Sequence, residues 1–128
     1  MNGIDFLADT NFLINVHEGN PIVEAFLDYK FATSYITEIE LLGVFSIGKI
    51  QQNLMKNLLA DCFIVPMDSE IKDLCIKLKQ KNKIKIPDAI IAATSIIYNL
   101  PLVTSDADFQ KIKDLNLIFI PKIDSTSN

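Results

Sequence analysis

The chain has 128 residues, a 49% hydrophobic content and a formal net charge of −4. That length and apolar content suit one well-buried domain and argue against both a two-domain protein and a disordered one. The acidity excludes a chain built as a whole to attract phosphate backbones, and all 12 basic residues are lysines, with no arginine for bidentate phosphate contacts. A nucleic-acid function would therefore need local positive charge, or metal ions, to offset the acidity.

Taken in order, Ile4 to Ala8 reads as a short buried strand that delivers Asp9 to its carboxyl end, with a helix following at once from Asn11 to His17. Glu18 to Pro21 is a break, and Pro21 suits the first turn of a second helix with Ile22, Ala25 and Phe26 on one face. Phe31 to Ile36 reads as a strand, and Thr37 opens a helical run through Glu40, Leu41, Val44 and Phe45. Ile50 to Leu59 is amphipathic, and Phe63 to Val65 is a brief strand stopped by Pro66. Ile71, Leu74, Cys75 and Leu78 follow the helical period, with Asp68 or Ser69 as the cap.

Lysines crowd the end of that helix and the loop beyond, at 77, 79, 81, 83 and 85. Pro87 then opens a helix from Asp88 to Tyr98 that is apolar nearly all round and so predicted to be central. Leu102 to Thr104 is a strand, Asp106 to Lys113 a short helix and Leu117 to Ile120 a last strand; residues 124–128 form a polar tail expected to fray. Strands alternating with helices imply an α/β fold with a parallel sheet covered on both faces, in a single domain over residues 1–123. Cys62 and Cys75 form no Cys-x-x-Cys pair and fit buried thiols in a reducing compartment. With no signal-peptide pattern and no span of membrane length, the expected location is the cytoplasm, away from any membrane.

The chemistry-bearing residues are Asp9, Glu40, Asp88 and the pair Asp106/Asp108. Each has an ordinary explanation: Asp9 could cap the first helix, and Thr37 to Glu40 is a capping box in which Glu40 reaches back to the Thr37 amide. Asp88 would suit a helix dipole, and Ser105 with Asp108 looks like another cap. Together, however, Asp9, Glu40 and Asp106 or Asp108 all follow strands and share the carboxyl edge of a parallel sheet, where ligands bind. Carboxylates gathered there would repel and raise one another's pKa unless a cation were present, and hard oxygen ligands select Mg²⁺ or Mn²⁺. Glu38 and Glu40 point to nearly opposite sides of a helix, so one of them faces the site; periodicity leaves the choice open.

Leu7-Ala8-Asp9-Thr10-Asn11, Ile36 to Gly43, Ile86-Pro87-Asp88-Ala89 and Thr104-Ser105-Asp106-Ala107-Asp108-Phe109 resemble the motifs of PIN domains, in family order and at family-like spacing from about Ile4 to Ile120. The likeness is to the VapC-type toxins of bacterial toxin–antitoxin pairs. It selects Glu40, which precedes Leu-Leu-Gly, and implies that Asp9, Glu40, Asp88 and Asp106 are the metal-binding, catalytic acids. Asp108 would also lie near the metal, with Asn11 and Thr104 as supporting polar groups. It further implies a three-layer α/β/α sandwich, a homodimer, a cognate antitoxin and Mg²⁺-dependent endonuclease cleavage of RNA.

A metal held by these acids would activate water for in-line attack, leaving a 5′-phosphate and a 3′-hydroxyl, with Thr104 or Ser105 to orient that water. Lys81, Lys83 and Lys85 would form a positive rim for RNA beside the acidic centre, or else simply favour a helix dipole. An alternative is a PIN-fold binding or regulatory protein with little turnover. A haloacid-dehalogenase-type phosphotransferase would need an aspartate two residues after Asp9, where Asn11 stands.

Overall fold

The computed structural model describes residues 1–121, so the tail expected at 124–128 and the domain boundary at 123 lie outside the described residues. Five short strands, β1 (Phe6–Ala8), β2 (Phe31–Ser34), β3 (Cys62–Val65), β4 (Leu102–Thr104) and β5 (Leu117–Phe119), form one sheet in the order β3-β2-β1-β4-β5. All four pairings are parallel. The helices are α1 (Thr10–His17), α2 (Tyr35–Leu42), α3 (Lys49–Ala60), α4 (Ser69–Lys81) and α5 (Ile86–Tyr98). Two 3₁₀ helices cover Pro21–Phe26 and Ala107–Lys111.

Side-chain alternation along the strands divides the core into two apolar layers. Leu7, Ala32, Val65 and Leu102 pack under α4 and α5, whereas Ala8, Phe31 and Val103 pack against residues of α1, α2 and α3. The result is the α/β/α sandwich that the resemblance implies. β2 and β4 are buried along their whole length, so their apolar residues do not alternate with exposed polar ones and the hydroxyls of Thr33, Ser34 and Thr104 are buried with them. On the second layer, the stacked rings of Phe12 and Phe31, with centroids 4.9 Å apart, press α1 onto the sheet. α5 is the central helix: Ala89 to Ser95 are all buried, and Asn99 ends it in the left-handed conformation at φ 53°.

Three local expectations change. Pro21–Phe26 is 3₁₀ rather than α-helical, and its tighter turn buries Val23 while leaving Ala25 exposed. Residues 107–111 are likewise 3₁₀. The strand expected to run to Ile36 stops at Ser34, because the Ser34 hydroxyl oxygen accepts the Ile36 amide at 3.2 Å and caps α2 three residues before Thr37. The capping box at Thr37 therefore does not form; Thr37 sits inside α2, fully buried. The cap of α4 is Asp68, whose carboxylate accepts the Ile71 amide at 2.8 Å.

The strand order reverses between β1 and β4, since the chain builds outward from β1 through β2 to β3 and then returns to β4 on the other side. Loops leave such a pair on opposite faces, which opens a crevice at the carboxyl ends of the two strands. The register sets Ala8 opposite Val103, so the next residues along, Asp9 and Thr104, arrive side by side at that opening.

Candidate metal centre

Asp9 sits where β1 turns into α1 and is 2% exposed. One carboxylate oxygen accepts the Phe12 amide at 2.7 Å and caps α1; the other accepts the Thr104 hydroxyl. The ordinary explanation of Asp9 is thus correct as far as it goes, but the same carboxylate also lines the crevice. Burial pushes its pKa up to about 7, against the two hydrogen bonds, with the negative charges of Asp106 and Asp88 adding to the rise.

Thr104 passes the network on. Its oxygen accepts the Asp106 amide at 2.9 Å, and the Asp106 carboxylate in turn accepts the Asp108 amide at 2.9 Å, capping the second 3₁₀ helix. The end of β4 is tied in this way to the end of β1 through one hydroxyl. The cap at this point is Asp106, not Ser105: Ser105 is buried, and its oxygen accepts the Asn15 amide group at 3.3 Å. Thr104 and Ser105 are therefore both turned to protein partners, and neither lines the crevice where a water would need orienting.

Glu40 comes from the other side, on α2. Its carboxylate accepts the Thr10 hydroxyl at 2.8 Å instead of reaching back to Thr37. Thr10 lies 3.2 Å from the buried Thr37 hydroxyl. Having one proton, Thr10 gives it to the closer carboxylate and receives that of Thr37. Glu38 goes elsewhere, lining a separate cavity with Leu42, Lys56 and Leu59. Asp88 enters from the first turn of α5. Its Oδ2 is buried without a hydrogen-bond partner among the described residues. Burial raises its pKa, as do the charges of Asp106, Asp108 and Glu40, while the Lys85 ammonium opposes them.

Asp9, Glu40, Asp88 and Asp106 line one pocket of about 130 Å³, together with Thr10, Asn11 and Lys85. Asp88, Asp106 and Asp108 each place an oxygen within 4.8 Å of the others. Such a set fits a hard divalent cation on two grounds. Carboxylates this close raise one another's proton affinity, and a cation removes that repulsion. Asp88 Oδ2, which would otherwise be an uncompensated buried acceptor, is the atom most in need of one.

All five acids expected from the sequence are thus brought to the carboxyl end of the sheet, with Asn11 on the pocket wall and Thr104 behind Asp9. The lysines divide. Lys85 lines the pocket, Lys81 lines a different cleft, and Lys83 is exposed, because α4 ends at Lys81 and the chain turns before α5 begins. Sequence reading missed Thr10 and Thr37, the hydroxyl pair that holds Glu40. A hydroxyl immediately after Asp9 at a strand end was the available signal.

The chain is similar to known proteins in both sequence and fold. The family model for the PIN domain matches residues 6–115. A toxin–antitoxin complex from Klebsiella pneumoniae contains a chain that is 29% identical, with a TM-score of 0.75, covering 89% of this chain and 96% of that one. VapBC-1 from nontypeable Haemophilus influenzae (24% identical, TM-score 0.75, covering 91% and 98%) and VapBC2 from Rickettsia felis, solved on a promoter DNA fragment (21%, 0.76, covering 91% and 99%), share the fold. No protein with a curated description matches the chain significantly in sequence. A family match over most of the chain, with the four acids of its motifs around one pocket, makes this protein a member of the PIN-domain family.

Proposed function

We propose that the protein is a divalent-metal-dependent endoribonuclease, the toxin of a type II toxin–antitoxin pair, acting in the cytoplasm as a homodimer held by a cognate antitoxin. The observation that carries this reading is the convergence of four carboxylates from four separate elements on a crevice at the strand-order reversal, one of them with an orphaned buried oxygen. PIN domains are generally nucleases, and the toxin–antitoxin complex from Klebsiella pneumoniae supports the antitoxin partner.

Asp88, Asp106 and Asp108 would hold Mg²⁺ or Mn²⁺, with Asp9 and Glu40 completing the acidic wall. Such an ion, when bound, neutralises phosphodiester charge and lowers the pKa of water. The chain's own residues then do the positioning. Thr104 fixes the rotamer of Asp9, Thr10 fixes Glu40, and Lys85 offers a cation at the pocket edge for a substrate phosphate. No imidazole pair stands at the site to support cleavage through the RNA 2′-hydroxyl, since His17 is exposed at the far end of α1.

Purified protein incubated with structured RNA and Mg²⁺ should cut it internally, leaving 5′-phosphate ends, and EDTA or Asp9→Asn should stop the cutting. RNA that stays intact under Mg²⁺ and Mn²⁺ while still binding the protein would favour a binding or regulatory role instead.

A further inference from the structure

Away from the acidic pocket, a cavity of about 400 Å³ lies between α4, the C-terminal half of α5 and the second 3₁₀ helix. Leu74, Leu78, Ile96 and Ile112 make its apolar floor. Four lysines stand around it: Lys77 and Lys81 from α4, and Lys111 and Lys113 from the second 3₁₀ helix and the turn after it. In a chain of net charge −4 this is a local reversal of sign, and Asp114 is the single acid on the wall. The C-terminal dipole of α4 accounts for Lys81 in its last turn but not for Lys111 and Lys113, which belong to another element about thirty residues away.

Among the described residues, three of these cations make no ion pair. The one ion pair within 4.0 Å among those residues is Lys111 with Asp108, at 3.6 Å, so Lys77, Lys81 and Lys113 line the cleft outside any ion pair, with Asp114 as the one acid beside them. Lys79, by contrast, is spent on the Ile84 carbonyl at 2.7 Å. The Lys111–Asp108 pair also places the cleft relative to the acids. Asp108 belongs to the trio with Asp88 and Asp106, so the second 3₁₀ helix has the acidic pocket at its start and the lysine cleft at its end. Along α5 the two sites are separated by the eight residues from Asp88 to Ile96, about 12 Å at the helical rise.

We propose that this cleft binds the phosphate backbone of single-stranded RNA and holds the substrate a short distance from the acids that cut it. The substrate class rests on the nuclease reading; the cleft itself rests on the four lysines. Clustered ammonium groups beside an apolar floor suit an unpaired strand, whose phosphates take the lysines while its exposed base faces are free to lie against apolar side chains. A duplex keeps its bases stacked inside and has no use for such a floor.

The test is fluorescence anisotropy of a short labelled single-stranded RNA with the full chain in EDTA, so that nothing is cut. Lys77→Gln/Lys81→Gln/Lys113→Gln should weaken binding about tenfold or more at about 50 mM salt and reduce the salt slope by about 2, from roughly 0.7 per lost phosphate contact. Lys30→Gln/Lys49→Gln/Lys56→Gln, which removes as many charges elsewhere, should leave both values near those of the parent chain. Thermal unfolding checks that the variants fold; if the triple cleft variant does not, Lys113→Gln alone should still lower the slope by about 0.7.

Unchanged affinity and slope, or an equal loss in the control variant, would overturn the proposal. So would a polyglutamate peptide that binds through the same three lysines while RNA affinity ignores them, or a mononucleotide that displaces the RNA at micromolar concentration. RNA held with the expected slope but never cut in Mg²⁺ would sink the nuclease reading and leave the cleft standing. RNA cut normally by a triple variant that binds like the parent would do the reverse.

Discussion

Asp9 illustrates how one side chain serves both folding and chemistry. It caps α1, accepts a hydroxyl from the next strand and lines the acidic pocket, and burial pushes its pKa up to about 7. Because the folded value lies above the ordinary 3.8, the native state holds a proton that the unfolded chain has already lost between those two pH values. The sign follows: in EDTA, the contribution of Asp9 to stability should be full below about pH 4 and fall as pH rises toward about 7. The difference in unfolding midpoint between Asp9→Asn and the parent chain, followed across that range, should therefore grow in favour of the variant. A flat difference would show that the fold does not raise the carboxyl pKa of Asp9.

The same substitution should abolish cleavage while the protein remains folded, because Asn keeps the oxygen that caps α1 and removes the buried charge. Thr104→Val is the complementary change. It deprives Asp9 of its donor and the Asp106 amide of its acceptor, and should cost about 1–3 kcal/mol in denaturant unfolding. The carboxyl pKa of Asp9 should rise further in that variant.

At the scale of elements, each acid depends on how its helix begins or ends. Ser34 caps α2 early, which turns Glu40 toward Thr10 and Glu38 toward α3. Thr10→Val should thus leave the fold nearly intact and reduce cleavage, since Glu40 would lose the group that points it into the pocket. Retained activity would mean that Glu40 is held by something else. Gly43 ends α2 with its amide on the Ile39 carbonyl at 2.7 Å, and an added Cβ would overlap that same carbonyl oxygen. Gly43→Ala should accordingly destabilise the protein by about 1–3 kcal/mol, read as a lower denaturant midpoint with an unchanged slope.

For the whole molecule, the strand order matters more than any single element. Placing β1 beside β4 makes neighbours of Asp9 and Thr104, which are 95 residues apart, and leaves α2 and α5 to bring in Glu40 and Asp88. A cation bound by this assembly would bind the folded chain alone, so Mg²⁺ at about a hundred times its Kd should add about 2.7 kcal/mol to stability. Asp88→Asn should remove most of that gain, and calorimetric unfolding with and without Mg²⁺ measures both. The gain should also increase with pH over the range in which Asp9 and Asp88 lose their protons, because metal and proton compete for the same oxygens. Stability indifferent to divalent ions would argue that the acids do not form a metal site.

Much of this was legible before any coordinates. Apolar runs in alternation with helical periods give the α/β class, because burial on both faces of a parallel sheet leaves its mark on inner strands such as β2 and β4. The acids at strand ends and first turns locate the candidate site, since such positions share one edge of a parallel sheet whatever the strand order. Local sequence could not decide between Glu38 and Glu40, because two residues apart on a helix they are equivalent until α2 is docked. It placed the α2 cap at Thr37, because Ser34 and Thr37 are both good caps and the length of β2 chooses between them.

Nor could periodicity reveal the strand reversal, the Thr10–Thr37–Glu40 chain of hydroxyls or the division of the lysines between two cavities. Those features join residues tens of positions apart, and a pattern with a period of two or three and a half residues carries no information at that range. Composition and motif therefore determined the fold class and the acids. Tertiary packing decided which oxygens meet, which one among the described residues is left without a partner, and where the lysines cluster.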